Sequence, residues 1–415
     1  MTISVEQARE RVLSRCRRLE PESASMLEAL GRVLAEDIRS DIDISPFDNS
    51  AMDGYAVRAV SVADASREHP VTLSIVSYIA AGDSSEEEVG EGQAARIMTG
   101  APMPKGADSV VMVEHTEPGE RSSMPGGTVR VMRAARVGEN IRYRGEEVKA
   151  KEAVLSRGDV VGAPAVGLLA STGHESAPVY RRPRVAVLST GDELVEVTEK
   201  PGPGKIRNSN SYSISAQVLE AGGLPLRYPV VPDEPVATRE ALARAAGEAD
   251  FIIASGGVSA GDLDFVRPVL EEMGELEFFK VSMRPGNPQT MGSIEGVPFF
   301  GLPGNPTSTF VGFEIFVRPA LRFMQGHREL FRPMCIATLE QDVKKKPDKR
   351  YYLRGRVRRS DDGRLLASLS GGQSSALLGA AHRGNCLLVL PQGETFFGAG
   401  TEVETMRLDM EEGTP

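Results

Sequence analysis

The sequence predicts a multidomain protein of the α/β plus β class. Three observations carry that expectation. At 415 residues the chain exceeds one comfortable hydrophobic core, so about two to four domains are expected. Its middle third alternates short apolar strands with helical patterns, the rhythm of a mostly parallel sheet covered on both faces. The flanking regions instead carry short β-branched runs separated by Gly and Pro clusters.

Taken in order, residues 3–37 space Val5, Ala8 and Val12, then Met26, Leu27, Leu30, Val33 and Leu34, at helical intervals. Two helices around Pro21 and Gly31 are expected there. Between 55 and 160 the runs 71–76, 95–98, 109–113 and 128–132 read as strands of a small β domain. Residues 162–180 read as a helix that returns to extended chain. Then come strands at 184–189, 226–231, 251–255, 277–283 and 298–302, with helices at 211–221, 235–247, 263–273 and 307–324 between and after them. From 333 onward, strands at 335–339, 354–357, 365–368 and 386–390 predict a small C-terminal β domain.

Composition narrows the functional classes. Hydrophobic residues at 40% and charged residues at 26% are ordinary for a globular chain. No apolar run approaches the roughly 18 residues of a membrane helix. Residues 1–20 are charged throughout with no apolar signal core, so a cytoplasmic protein without membrane association is expected. Cys16, Cys335 and Cys386 are too scattered for a disulfide frame or a thiolate metal site. The five histidines show no HExxH spacing. A net charge of −10 argues against nucleic acid as a partner. An anionic ligand would need a local basic cluster; the run Lys344-Lys345-Lys346 with Lys349-Arg350 is one candidate, and it equally fits a solvated face.

Oxygen-bearing residues gather in four places. The string Pro46-Phe47-Asp48-Asn49-Ser50-Ala51-Met52-Asp53-Gly54-Tyr55-Ala56 reads as a loop, because Asp, Asn and Ser favour turns and caps. Three strands of the α/β segment end in Gly-rich loops. These are Ser189-Thr190-Gly191-Asp192-Glu193, then Ser255-Gly256-Gly257-Val258-Ser259-Ala260-Gly261-Asp262, then Gly301-Leu302-Pro303-Gly304-Asn305-Pro306-Thr307-Ser308. Ligands of open α/β sheets sit beyond the carboxyl ends of the strands, where these loops fall. Asn305 before Pro306 reads as an N-cap followed by Pro at the first helical position, leaving amides free for an anion. No P-loop or dinucleotide fingerprint is present. Each loop also fits a plain tight turn; three on one sheet edge favour phosphate binding with a nearby carboxylate-held Mg²⁺.

The string at 46–56 closely resembles the signature of the molybdopterin molybdenumtransferase family, which includes the C-terminal half of gephyrin. Arg96-Ile97-Met98-Thr99-Gly100-Ala101-Pro102, Asn140-Ile141-Arg142-Tyr143-Arg144-Gly145-Glu146-Glu147 and the three loops follow in the family's order. The resemblance implies an elongated helical domain at 1–45 and 146–180 with a β-rich domain inserted at 46–145. It further implies a three-layer α/β domain at 181–327 and a β barrel at 328–415. The implied activity inserts molybdenum from molybdate into adenylylated molybdopterin, with Mg²⁺-dependent release of AMP. The implied assembly is a homodimer whose active site joins the α/β domain of one subunit to the inserted domain of the other. The adenylyltransferase that supplies the substrate and proteins that deliver the cofactor to molybdoenzymes are implied partners.

By the same resemblance Asp53, Thr99 and Glu147 fall in the cleft opposite the α/β domain. Glu193 and Asp264 match carboxylates tied to Mg²⁺ and catalysis, and Lys280 matches a catalytic lysine. Asp233, Ser255, Gly256, Gly257, Ser259, Arg284, Pro303, Gly304, Asn305 and Ser308 match substrate-binding positions. The chain departs from the family's Lys-Pro-Gly-Lys-Pro in carrying Arg284-Pro285-Gly286-Asn287-Pro288. Arg for Lys exchanges a point charge for a rigid fork, and Asn287 loses a cation. Two alternatives use parts of the same sequence: a nucleotide or pyrophosphate hydrolase built on the α/β domain, and a non-catalytic scaffold such as gephyrin. The motifs at 46–56 and 96–102 lie outside the α/β segment and argue against the hydrolase. The intact acidic set argues against the scaffold, and Asn287 argues for it.

Overall fold

The computed structural model describes residues 2–84, 86–120, 124–256 and 266–412. Its central sheet has seven strands in the order Thr2–Ile3, Gly274–Val281, Pro288–Ile294, Val297–Leu302, Phe251–Ser255, Arg184–Ser189, Leu224–Arg227. Strand 184–189 pairs in parallel with both of its neighbours, whereas Pro288–Ile294 runs against both of its own. The strands are apolar on both faces because both faces are covered. Val185, Val187, Phe251 and Ile253 pack with the helices Val5–Ser14, Ser209–Glu220 and the 306–324 segment. Ala186, Leu188, Ile252 and Ala254 pack with Leu242 and Ala245 of Pro235–Glu248 and with Val269 and Leu270 of Val266–Met273. This is the three-layer arrangement expected of the middle segment.

The first helix is locally well specified. Ser4 accepts from the Gln7 amide and Gln7 reaches back to the Ser4 amide, a capping box. Its buried face joins the α/β core, and Thr2–Ile3 adds an edge strand to the sheet. Residues 2–19 thus pack against the α/β layer. The second helix expected before residue 37 does not form. Pro21–Ser25 is a strand paired with Ser176–Tyr180, turns follow, and Leu27 and Leu30 are 78% and 51% exposed. Around the helix Ala163–Ser171 this piece is held by short ladders, including Ile38–Arg39 with Ala153–Leu155.

The region 46–145 forms a six-stranded sheet in the order Ser109–Met112, Gly54–Val57, Gln93–Ile97, Val71–Ile79, Thr128–Val131, Thr116–Pro118. At the C-terminal end, Arg350–Arg359 pairs with Leu365–Leu369 on one side and Cys386–Leu390 on the other. Met334–Leu339 and Glu402–Arg407 complete a closed five-stranded barrel. The two-residue strand Met283–Arg284 leaves the α/β domain and pairs with the start of Arg350–Arg359, so that Arg284 lies opposite Tyr351. That pairing positions the barrel against the α/β loops.

Candidate active site

Parallel strands deliver their carboxyl-terminal loops to one edge, and there Ser189, Thr190, Glu193, Asn208, Asn210, Ser255, Gly256 and Gly304 line a polar pocket of about 70 Å³. Gly256 has φ +90°, and a side chain there would stand 2.5 Å from the Thr190 carbonyl oxygen. Glycine alone permits that approach. The hydroxyls of Ser189 and Thr190 and the Asn208 amide nitrogen are buried without a hydrogen-bond partner among the described protein atoms. Buried groups of this kind need a partner, which a polar ligand or water in this pocket can supply. Asn210 ties the loops together: its amide donates to Ser255 Oγ at 2.9 Å and to the Gly304 carbonyl at 2.7 Å. Asp192 and Asp233 each accept from the other's amide at 3.3 Å, which fixes Asp233 behind the first loop.

The 303–308 loop is a wall between two spaces. On its other side Pro303, Asn305 and Ser308 face a cleft of about 640 Å³ between the α/β domain and the barrel. Arg284, Lys344, Lys345, Lys346, Lys349 and Arg354 line it, and no carboxylate is among its described lining residues. The lysine run is therefore the wall of a cleft and not merely a solvated face. Arg354 is 1% exposed; one guanidinium nitrogen donates to the Gly372 and Ser374 carbonyls, and its Nε has no partner among the described atoms. Burial pushes this guanidinium down to about 10. Asn305 occupies the N-cap position but its side chain makes no cap hydrogen bond, and the Thr307 amide donates to the Ser375 carbonyl. The expectation of free amides at this terminus is corrected accordingly: the barrel takes one of them, and the Asn305 side chain faces the cationic cleft.

In the inserted sheet Asp53 and Thr99 meet. The Thr99 amide donates to Asp53 Oδ1 at 2.7 Å and its hydroxyl donates at 2.8 Å, which holds the exposed Asp53 carboxyl below its usual range. The string 46–56 is not one open loop. Asn49 and Ser50 form a two-residue strand paired with Ile141–Arg142 and are 4% and 0% exposed; Asp48 and Asp53 remain outside. Glu147 is exposed. Lys280 is exposed on its strand and lines neither cleft. Gly257, Ser259 and Asp264 lie outside the described residues. Among the described residues no three His, Cys, Asp or Glu side chains cluster as a metal site. Asn210 and Arg354 are site residues that sequence reasoning does not single out. For Asn210 the available signal is the cap-rich Asn208-Ser209-Asn210-Ser211 that opens a helix. Arg354 is indistinguishable from any other strand residue until the barrel closes.

Comparison with known proteins agrees with this geometry over the full length. Models of the MoeA N-terminal region (domain I and II), the probable molybdopterin binding domain and the MoeA C-terminal region (domain IV) match residues 3–173, 186–323 and 337–408. The molybdopterin molybdenumtransferase of Bacillus subtilis is 37% identical over 413 residues, covering 99% of this chain and 95% of its own length. That of Staphylococcus aureus is 35% identical over 403 residues, with 97% and 94% covered. The solved molybdopterin biosynthesis MoeA protein of Pyrococcus horikoshii superposes with a TM-score of 0.83 at 30% identity, over 98% of this chain and 100% of that one. With family models, relatives and a solved structure all matching over nearly the whole chain, the chain belongs to the molybdopterin molybdenumtransferase family.

Proposed function

We propose that this protein inserts molybdenum from molybdate into the dithiolene of adenylylated molybdopterin and releases AMP. The observation that carries the reading is the pair of spaces on either side of the 303–308 loop, one small and polar, the other cationic and free of described carboxylates. The polar pocket suits the phosphate end of the pterin nucleotide, which its hydroxyls and Asn208 amide can bond. The cationic cleft suits a tetrahedral dianion, molybdate or the similar tungstate. Its six basic side chains attract an anion against the net field of a chain charged −10.

The reaction needs charge neutralised on a phosphoanhydride. Mg²⁺ typically uses one or two carboxylates and shares substrate phosphate and water. Glu193 on the rim of the polar pocket fits that demand, and Asp264 would join it. When bound, the ion would stabilise negative charge on the cleaved phosphate. Asp53, kept ionised by Thr99, would close on this pocket from the inserted domain of a second subunit, which makes a homodimer the working unit. Lys280 would act as the catalytic cation only if the assembled dimer brings substrate to its strand. A cytoplasmic location belongs to the same proposal; among the described residues no helix is long and apolar enough to cross a membrane.

The test is incubation with adenylylated molybdopterin, molybdate and Mg²⁺, scored for AMP and for cofactor that activates an apo-molybdoenzyme. Molybdate-dependent AMP release with active cofactor is expected. AMP released without active cofactor would identify a hydrolase, and neither product would identify a scaffold.

A further inference from the structure

The cationic cleft poses a physical problem. Six basic side chains share it with no described carboxylate among its lining residues, so something must hold like charges at working distance. Two of them share one aromatic ring. The Arg284 guanidinium carbon lies 5.6 Å from the centroid of Tyr351, and the Lys345 ammonium lies 4.9 Å from the same centroid. Both distances are within the range at which a cation is drawn to an aromatic ring. Strand pairing fixes the first contact, since Arg284 is the register partner of Tyr351. The second is fixed by Lys345 itself, which is 9% exposed and donates to the carbonyls of Lys346 and Lys349 at 3.0 and 3.1 Å. Neither cation forms an ion pair within the described residues; Asp348 and Glu394 act on Lys345 only at longer range.

We infer that Tyr351 is a positioning residue for the oxyanion: its ring, and not its hydroxyl, holds Arg284 and Lys345 with their charge directed to the cleft. The inference rests on the reading of this cleft as the oxyanion site. It also accounts for the departure at position 284. A planar guanidinium spreads over an aromatic ring more effectively than an ammonium does, so the Arg284 and Tyr351 pair is a coherent substitute for a lysine at that position. The tyrosine hydroxyl is a secondary feature, because its contacts with the Lys346 amide and Arg284 are long, at 3.4 and 3.5 Å. Packing cannot be its whole role: 7% exposed, Tyr351 belongs to the barrel core and yet lines the cleft.

The experiment titrates molybdate into the full-length protein and its variants by calorimetry, with KM and kcat measured in the AMP-release assay. Tyr351→Leu should weaken molybdate binding and raise the molybdate KM about tenfold, leaving kcat and the KM for adenylylated molybdopterin unchanged. Tyr351→Phe should stay within about threefold of the parent, because the ring face remains. Should Tyr351→Leu fold poorly, Arg284→Met tests the same contact at an exposed position. It should weaken binding comparably, and adding Tyr351→Phe to it should cost no more than about threefold further. If Arg354→Gln weakens molybdate binding while Tyr351→Leu and Arg284→Met leave it unchanged, the positioning role is wrong and the cleft reading stands. If Arg354→Gln also leaves binding unchanged, both are wrong. A loss in Tyr351→Phe equal to that in Tyr351→Leu would overturn the role given to the ring.

Discussion

Arginine side chains withdrawn from solvent are treated in opposite ways at two places in this protein. Where the 306–324 segment meets the chain near residue 412, Arg318, Arg322 and Arg332 surround Glu412, whose side chain is 1% exposed, and Arg332 also pairs with Glu314. Arg318 reaches Glu412 at 2.6 Å. Across the molecule Arg354 is 1% exposed, and among the described residues its guanidinium donates only to backbone carbonyls. Burying a charge is costly unless it is paired. The first group is a finished structural network. At the second place an unpaired positive charge lines a cleft, and the proposed function assigns its negative partner to the ligand.

The largest expected effect breaks the finished side. Glu412→Gln leaves two or three guanidiniums around a neutral group and should cost about 3–5 kcal/mol of stability, read as a lowered urea midpoint. A shift under about 1 kcal/mol would mean the network is solvated in solution. Next, Arg354→Gln should weaken molybdate binding about 10- to 100-fold while disturbing stability less than Glu412→Gln does. The reverse order of effects would erase the contrast between the two groups.

A smaller effect sharpens the structural side. His327 lies beside Arg322, whose guanidinium donates to Nδ1 at 3.2 Å, and it also feels Arg318 and Glu412. Burial first, then Arg322, pushes its imidazole from 6.5 down to about 4. The unfolded chain therefore takes up this proton near pH 6.5, and the folded protein resists it until about pH 4. Stability from this group is full above pH 6.5 and falls as the pH drops through that window, by up to about 1.4 kcal/mol per pH unit. His327→Gln should flatten the slope in pH-dependent thermal melts; an unchanged slope would assign it to another group. The smallest effect lies in the cleft. Asn287→Lys should tighten molybdate binding by about tenfold or less at low salt, and the gain should shrink as salt rises. Equal affinities at two salt concentrations would put position 287 outside the anion site.

The same contrast shows what could be read in advance. Strands 184–189, 251–255 and 386–390 were legible because they are continuous apolar runs of the kind a doubly covered sheet or barrel core demands. Pro288–Ile294 was not. It opens on Pro and carries Gly292, where a side chain would stand 2.0 Å from the Glu275 carbonyl oxygen, so a close backbone approach removed the usual strand residues. Leu27 and Leu30 imitated a helical face that the chain leaves exposed. At the site, the Gly-rich loops announced themselves through residue type. The partnerships of Arg354 with Gly372 and Ser374, and of Tyr351 with Arg284 and Lys345, did not, because barrel closure and the 283–284 pairing create them across long stretches of chain. Asp53 and Thr99 stood in separate motifs of the sequence, and their contact awaited the pairing of strands 54–57 and 93–97.

Crystals of the full-length protein soaked with tungstate, and measured at the tungsten absorption edge, test the central claim most directly. An anomalous peak is expected in the cleft lined by Arg284, Lys345, Arg354 and Ser308, and it should be lost in Arg354→Gln crystals. A peak in the polar pocket of Ser189, Asn208 and Ser255 with none in the cationic cleft would contradict it.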